Sequence, residues 1–205
     1  MRVYAITQRS LAPGRDLAST IRRWAECGVD RVQIREKDLA ARQVYDLARR
    51  VLERPVPEGF ELFINERFDI ALAAGAHGVH LGARSLPVRL VRRRVGGRLR
   101  IGYSAHTVDE AIRAARDGAD LVTLSPIFAT HSKPMNRPEL GTGPLCRAVR
   151  GLGETPLFAL GGINPERAVR LRGTGIAGVA LTGCLMRSTD PAGTVSALRR
   201  ALEGD

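Results

Sequence analysis

Gly28-Val29-Asp30-Arg31-Val32-Gln33-Ile34 is a phrase that the chain repeats three more times. It returns as Gly75-Ala76-His77-Gly78-Val79-His80-Leu81, as Gly118-Ala119-Asp120-Leu121-Val122-Thr123-Leu124, and as Gly175-Ile176-Ala177-Gly178-Val179-Ala180-Leu181. Each copy opens on a glycine suited to the left-handed turn that ends a helix. A short turn and an apolar run of strand length follow. Four further apolar runs lie between the copies, at 2–7, 61–65, 99–104 and 156–160, which makes eight. Amphipathic or capped helical patterns alternate with them at 17–27, 40–52, 68–74, 88–94, 108–117, 165–172 and 191–203. Asn164-Pro165 is a strong helix start, with the asparagine as N-cap and the proline in the first turn. Eight strands alternating with helices predict an α/β fold, a single (β/α)₈ TIM barrel over residues 1–205. An open doubly wound sheet is the alternative. A repeat at quarter-chain intervals favours closure, because equivalent units around a ring generate it.

The composition is that of a globular enzyme-sized chain. At 205 residues, 44% hydrophobic and 26% charged, it can bury a core without staples. No apolar run reaches the ~20 residues that span a bilayer, and the first residues read as a strand, so a cytoplasmic location without membrane association is expected. Cys27, Cys146 and Cys184 are too far apart for metal-ligand spacing, and are expected as reduced, mostly buried thiols. The net charge of +11 raises the question of nucleic acid. The arginines are scattered along helix faces, and aromatics are only 4% of the chain, which leaves few stacking platforms. No nucleic-acid partner is expected; anionic small molecules satisfy the same charge.

Basic residues here are thirty arginines and two lysines, Lys37 and Lys133. An ammonium is a compact point charge on a flexible stem, which suits a phosphate where a planar guanidinium fork does not. Both lysines follow apolar runs, and Lys133 stands in a long polar connection, 126–143, of the kind that serves as a functional lid.

Barrel sites lie at the C-terminal ends of the strands. Those ends carry Gln33, Arg35 and Lys37, then Asn65 and Glu66, Ser85, Ser104 and His106, Gly161 and Gly162, and Thr182 and Gly183. Gln33, Arg35 and Lys37 are spaced i, i+2, i+4 and share a face of an extended chain, either the barrel mouth or solvent. Two cations and an amide there suit a phosphate or diphosphate. Gly161-Gly162 before a helix start, with Thr182-Gly183 from the last strand, form a candidate anion cradle.

Together these segments resemble a known family. Val32-Gln33-Ile34-Arg35-Glu36-Lys37, Phe63-Ile64-Asn65-Glu66-Arg67, Gly78-Val79-His80-Leu81-Gly82, Ile101-Gly102-Tyr103-Ser104-Ala105-His106-Thr107, Gly118-Ala119-Asp120, Ser125-Pro126-Ile127-Phe128-Ala129-Thr130-His131-Ser132-Lys133 and Ala159-Leu160-Gly161-Gly162-Ile163 are similar, in order, to the thiamine phosphate synthase and TenI superfamily. The resemblance implies a (β/α)₈ fold and a role in thiamine biosynthesis. Carried over position by position, it assigns Gln33, Arg35, Lys37, Asn65, Ser104 and Lys133 to a pyrimidine diphosphate. It assigns Thr130 and Ser132 to the lid, and Gly162 and Thr182 to the surroundings of a thiazole phosphate.

The chain departs from the synthase pattern at two positions. Glu66 stands where the pattern has the first metal-binding aspartate, and Ser85 replaces the second. The stretch Arg84-Ser85-Leu86-Pro87 resembles the TenI branch, whose characterised activity is a metal-free thiazole tautomerisation. That branch's catalytic histidine is matched here by Pro126, which cannot move a proton, so His106 or His131 is the candidate in its place. The sequence leans to a TenI-like enzyme acting on a thiazole phosphate, with Lys37, His106, His131 and Lys133 as catalytic candidates. The alternative is thiamine phosphate synthase, and a noncatalytic binder of thiamine precursors is the reading from another class. No resident cofactor is expected, with Mg²⁺ at Glu66 if the synthase reaction runs. The expected partner is a small phosphorylated thiazole or pyrimidine, with a homo-oligomer left open.

Overall fold

A computed structural model describes residues 1–129 and 138–204. Eight parallel strands close into a barrel in sequence order. They are β1 (Arg2–Ile6), β2 (Arg31–Ile34), β3 (Glu61–Asn65), β4 (Gly78–Leu81), β5 (Arg100–Ala105), β6 (Leu121–Leu124), β7 (Leu157–Leu160) and β8 (Gly178–Leu181). Pairing of β1 with β8, Val3 opposite Val179, seals the ring and removes the open-sheet alternative. Outside lie α1 (Leu17–Glu26), α2 (Ala41–Leu52), α3 (Phe68–Ala74), α4 (Val88–Val95), α5 (Val108–Arg116), α6 (Thr142–Leu152), α7 (Pro165–Ala168), α8 (Gly183–Met186) and α9 (Pro191–Glu203). No helix among the described residues is long and apolar enough to cross a membrane.

The fourfold phrase is the entry of each even strand. Its glycine has positive φ in all four copies: 87° at Gly28, 74° at Gly75, 101° at Gly118 and 79° at Gly175. Its third residue donates its backbone N–H to the odd strand just before it: Asp30 to Val3, His77 to Leu62, Asp120 to Ile101 and Ala177 to Leu157. In three copies the side chain returns the bond. Asp30 Oδ2 accepts from Val3 N at 2.7 Å, His77 Nδ1 from Leu62 N at 3.0 Å, and Asp120 Oδ2 from Ile101 N at 2.6 Å. The repeat therefore closes the ladder at the barrel's N-terminal rim, where edge N–H groups would otherwise be orphaned.

Inside the barrel, Tyr4, Ile6, Phe63, Leu121, Phe158 and Ala180 form a separate apolar cluster. Tyr4 meets Phe63 and Phe158 with ring centroids 5.7 and 5.8 Å apart, inside the range of favourable aromatic pairs. Small residues make room for these rings: a Cβ on Gly78 would lie 2.3 Å from Phe63.

Two details correct the sequence reading. Helix α6 is not among the helical patterns read there, because Gly143, Pro144 and Gly151 interrupt it. Pro144 sits in the first turn, where its missing N–H costs nothing. Gly151 packs on α5, where a Cβ would come 2.5 Å from Ile112 Cδ1. The three cysteines are free, as expected, yet each is half-buried.

Candidate active site

The strand ends converge on one cavity of about 530 Å³ at the barrel mouth. Gln33, Arg35, Lys37, Asn65, Glu66, Ser104, His106, Gly161 and Thr182 all line it. The i, i+2, i+4 face of residues 33–37 is therefore the mouth. The acids beside the cations turn away: Glu36, between them, is buried and accepts from Arg9 N at 3.1 Å through both oxygens, and Asp38, after them, pairs with Arg9 Nη2 at 2.5 Å. This sorting leaves Arg35 and Lys37 for the cavity.

Gln33 ends β2 and Asn65 ends β3, and Gln33 Nε2 donates to Asn65 Oδ1 at 3.0 Å. The pairing fixes both amides and leaves the Gln33 carbonyl and the Asn65 amine for a ligand. Arg35 is anchored through its backbone N–H to Thr7 Oγ1 at 2.9 Å. Burial pulls its guanidinium below the usual arginine range; Glu66 and Glu36 act against that, and Arg84 acts with it. Arg84 also lines the cavity and was missed from the sequence. Its signal there was its place just past β4, in the Arg84-Ser85-Leu86-Pro87 stretch, which was not read as cavity lining.

Glu66 has φ of 62°, the one described non-glycine residue with positive φ. Its Oε1 accepts from Ser85 Oγ at 3.2 Å, and that hydroxyl accepts from Gly82 N at 2.9 Å. Serine at this position thus ties Glu66 to the β4 loop. Among the described residues no group of three His, Cys, Asp or Glu side chains could hold a metal by itself.

The two histidines near the mouth differ. His80 is buried, with Nδ1 3.0 Å from the Tyr4 hydroxyl and Nε2 2.9 Å from Ser104 Oγ. Burial pulls its pKa down to about 3, with Arg35 adding to the effect. His106 lines the cavity, and its Nδ1 lies 3.0 Å from the Ser125 carbonyl. Ser125 Oγ lies 3.3 Å from the same nitrogen; toward the carbonyl, which can only accept, Nδ1 must donate, and in the neutral ring that leaves Nε2 as an acceptor.

A second cavity of about 470 Å³ adjoins the first, sharing Leu160, Gly161 and Thr182 and adding Gly162, Gly183, Arg167 and Arg187. Gly162 has φ of 64°, and a Cβ there would meet the Ala129 carbonyl oxygen at 2.3 Å. Only glycine fits. Arg167 and Arg187 carry the charge of this half and were likewise not read from the sequence. Thr130, His131, Ser132 and Lys133 lie outside the described residues.

The family model described as thiamine monophosphate synthase matches residues 3–185. The chain belongs to the thiamine phosphate synthase/TenI family. Family members similar to it include a thiamine-phosphate synthase of Chloroflexus aurantiacus, 37% identical over 97% of this chain and 91% of that one. Another, from Clostridium novyi, is 37% identical over 96% of each. Among solved structures, the thiamine phosphate pyrophosphorylase of Pyrococcus furiosus superposes with a TM-score of 0.83 at 28% identity, covering 98% of this chain and 95% of that one. The chain is an enzyme of this thiamine-biosynthesis family. Relatives named as synthases favour the synthase alternative over the TenI-like reading to which the sequence leaned.

Proposed function

We propose that this protein is a thiamine phosphate synthase, joining a hydroxymethylpyrimidine diphosphate to a thiazole phosphate with release of pyrophosphate. The observation that carries this reading is the sharing of one cavity by Arg35, Lys37 and the Gln33–Asn65 amide pair. In the reaction the methylene C–O bond breaks and its electron pair leaves on pyrophosphate. The thiazole nitrogen lone pair then forms the new C–N bond to the methylene carbon. Negative charge gathers on the leaving group, and preorganised cations in a half-enclosed site lower the cost of that charge. Arg35, Lys37 and Arg84 supply it in this reading. Gly162, Thr182 and Gly183 take the thiazole phosphate, and Lys133, Thr130 and Ser132 are assigned to the diphosphate by the family motif alone.

Mg²⁺ is commonly held by one or two carboxylates together with substrate phosphates. The single carboxylate of Glu66, with the Ser85 oxygen beside it, fits that minimum. When bound, the ion would neutralise diphosphate charge.

One observation favours a second reading, tautomerisation of a thiazole phosphate. His106 lines the cavity that carries Pro126, and the contact of its Nδ1 with the Ser125 carbonyl leaves Nε2 as the acceptor of the neutral ring, the form a general base requires. The two readings part on Arg35 and His106. Under the synthase reading Arg35→Ala lowers kcat/KM for pyrophosphate release on the order of 10²-fold, and His106→Gln leaves it nearly unchanged. The reverse order of sensitivity, with product formed from the thiazole alone, would favour the tautomerase.

A further inference from the structure

Ser104 reaches the cavity at the end of a chain of buried hydroxyl and imidazole groups: Tyr4, His80, Ser104 and Thr123. Tyr4, His80 and Thr123 are at most 1% exposed. Among the described residues the Tyr4 hydroxyl has one hydrogen-bond partner, His80 Nδ1. A buried phenol that accepted a bond there would strand its own proton, so Tyr4 donates and Nδ1 accepts. Burial keeps the ring neutral, and a neutral imidazole with a bare Nδ1 carries its proton on Nε2. Nε2–H then donates to Ser104 Oγ at 2.9 Å. Thr123 Oγ1 donates to the same oxygen at 3.3 Å. Both acceptor positions of the Ser104 oxygen are filled, and its own O–H is the one hydrogen-bonding function left for the cavity. The fold makes room for this ring: a Cβ on Gly102 would lie 2.3 Å from His80 Nδ1.

We propose that His80 is a positioning residue whose tautomer, set by Tyr4, makes the Ser104 hydroxyl an obligate donor, so that the site selects a ligand presenting an acceptor there, such as a ring nitrogen of an aromatic heterocycle. A ligand presenting an N–H at that point meets a second donor and is rejected, because specificity follows from polar groups left unpaired. The identity of the ligand as a pyrimidine rests on the synthase reading; the polarity of Ser104 does not.

The test begins with whole protein carrying ring-¹⁵N histidine, the His80 signals being those absent from His80→Gln. The expected spectrum has the proton on Nε2 and a bare Nδ1 from about pH 5 to pH 8. A proton on Nδ1 overturns the proposal. Kinetics supply the second readout. Glutamine can accept from Tyr4 through its carbonyl and donate to Ser104 through its amide, so His80→Gln keeps KM for the pyrimidine diphosphate. His80→Met, of similar bulk and without either function, raises that KM about five- to tenfold and leaves KM for the thiazole phosphate unmoved. Equal effects of the two substitutions, or equal shifts for both substrates, overturn it. Where His80→Met does not fold, Tyr4→Phe replaces it, with a mixed tautomer and the same one-sided rise in KM expected. If no thiamine phosphate forms at all, the reaction assignment falls. The tautomer spectrum and calorimetric binding of the pyrimidine diphosphate then still decide the Ser104 donor.

Discussion

His80 couples the barrel interior to acidity. Its folded pKa near 3 lies below the ordinary histidine value of about 6.5, so between those values the unfolded chain binds more protons. Stability is complete above about pH 6.5 and falls as pH drops toward 3, with a slope approaching 1.4 kcal/mol per pH unit. Burial lowers His77 in the same direction, so the His80 share is read as a difference. Urea unfolding from pH 4 to pH 8 is expected to show a shallower acid slope in His80→Gln than in the parent chain; parallel slopes would contradict it. Gly162 makes the second residue-scale prediction. A side chain there meets the Ala129 carbonyl in a left-handed backbone conformation, so Gly162→Ala is expected to cost about 2 kcal/mol or more. It should also weaken binding of thiazole phosphate measured by calorimetry. At this scale the sequence was legible wherever chemistry repeats on alternate residues, as at Gln33, Arg35 and Lys37. It did not mark Arg84, Arg167 or Arg187 as cavity residues, because one arginine among thirty carries no mark of its surroundings.

Elements were legible where a local rule set their ends. The fourfold phrase located all the even strands because its glycine and third residue close each helix-to-strand turn through backbone geometry. The helix at 68–74 matches its expected bounds, ending on the left-handed Gly75. Helix α6 was hidden because its glycine serves packing against α5, which no local pattern reveals. Asp120 shows what the phrase contributes energetically. It accepts from Ile101 N and pairs with Arg92, so Asp120→Ala leaves a strand N–H without its side-chain partner and is expected to cost about 1–3 kcal/mol in thermal or urea unfolding. A cost near zero would mean that the rim bond is dispensable. At the head of α5, the Thr107 hydroxyl accepts from Glu110 N, and the Glu110 carboxylate accepts from His106 N. This reciprocal cap holds the segment that carries His106. Thr107→Ala should lower stability by about 1 kcal/mol.

For the whole molecule, closure was predictable from periodicity, and the ring in turn gathers residues from all eight strand ends into one cavity. Exposed arginines such as Arg42, Arg50, Arg93 and Arg94 carry much of the positive charge on helices around the barrel, while the cavity holds only a few cations. Binding to unstructured RNA is therefore expected to vanish by physiological salt, as for purely electrostatic contacts. Choice between related reactions was not legible, because it turns on single groups: Glu66 fastened by Ser85, and Pro126 near a histidine held against the Ser125 carbonyl. The most direct measurement is product analysis of purified protein given hydroxymethylpyrimidine diphosphate, thiazole phosphate and Mg²⁺. The account predicts thiamine phosphate and pyrophosphate in equal amounts. Aromatised thiazole phosphate formed from its tautomer, without pyrimidine or metal and with no thiamine phosphate in the full mixture, would contradict it.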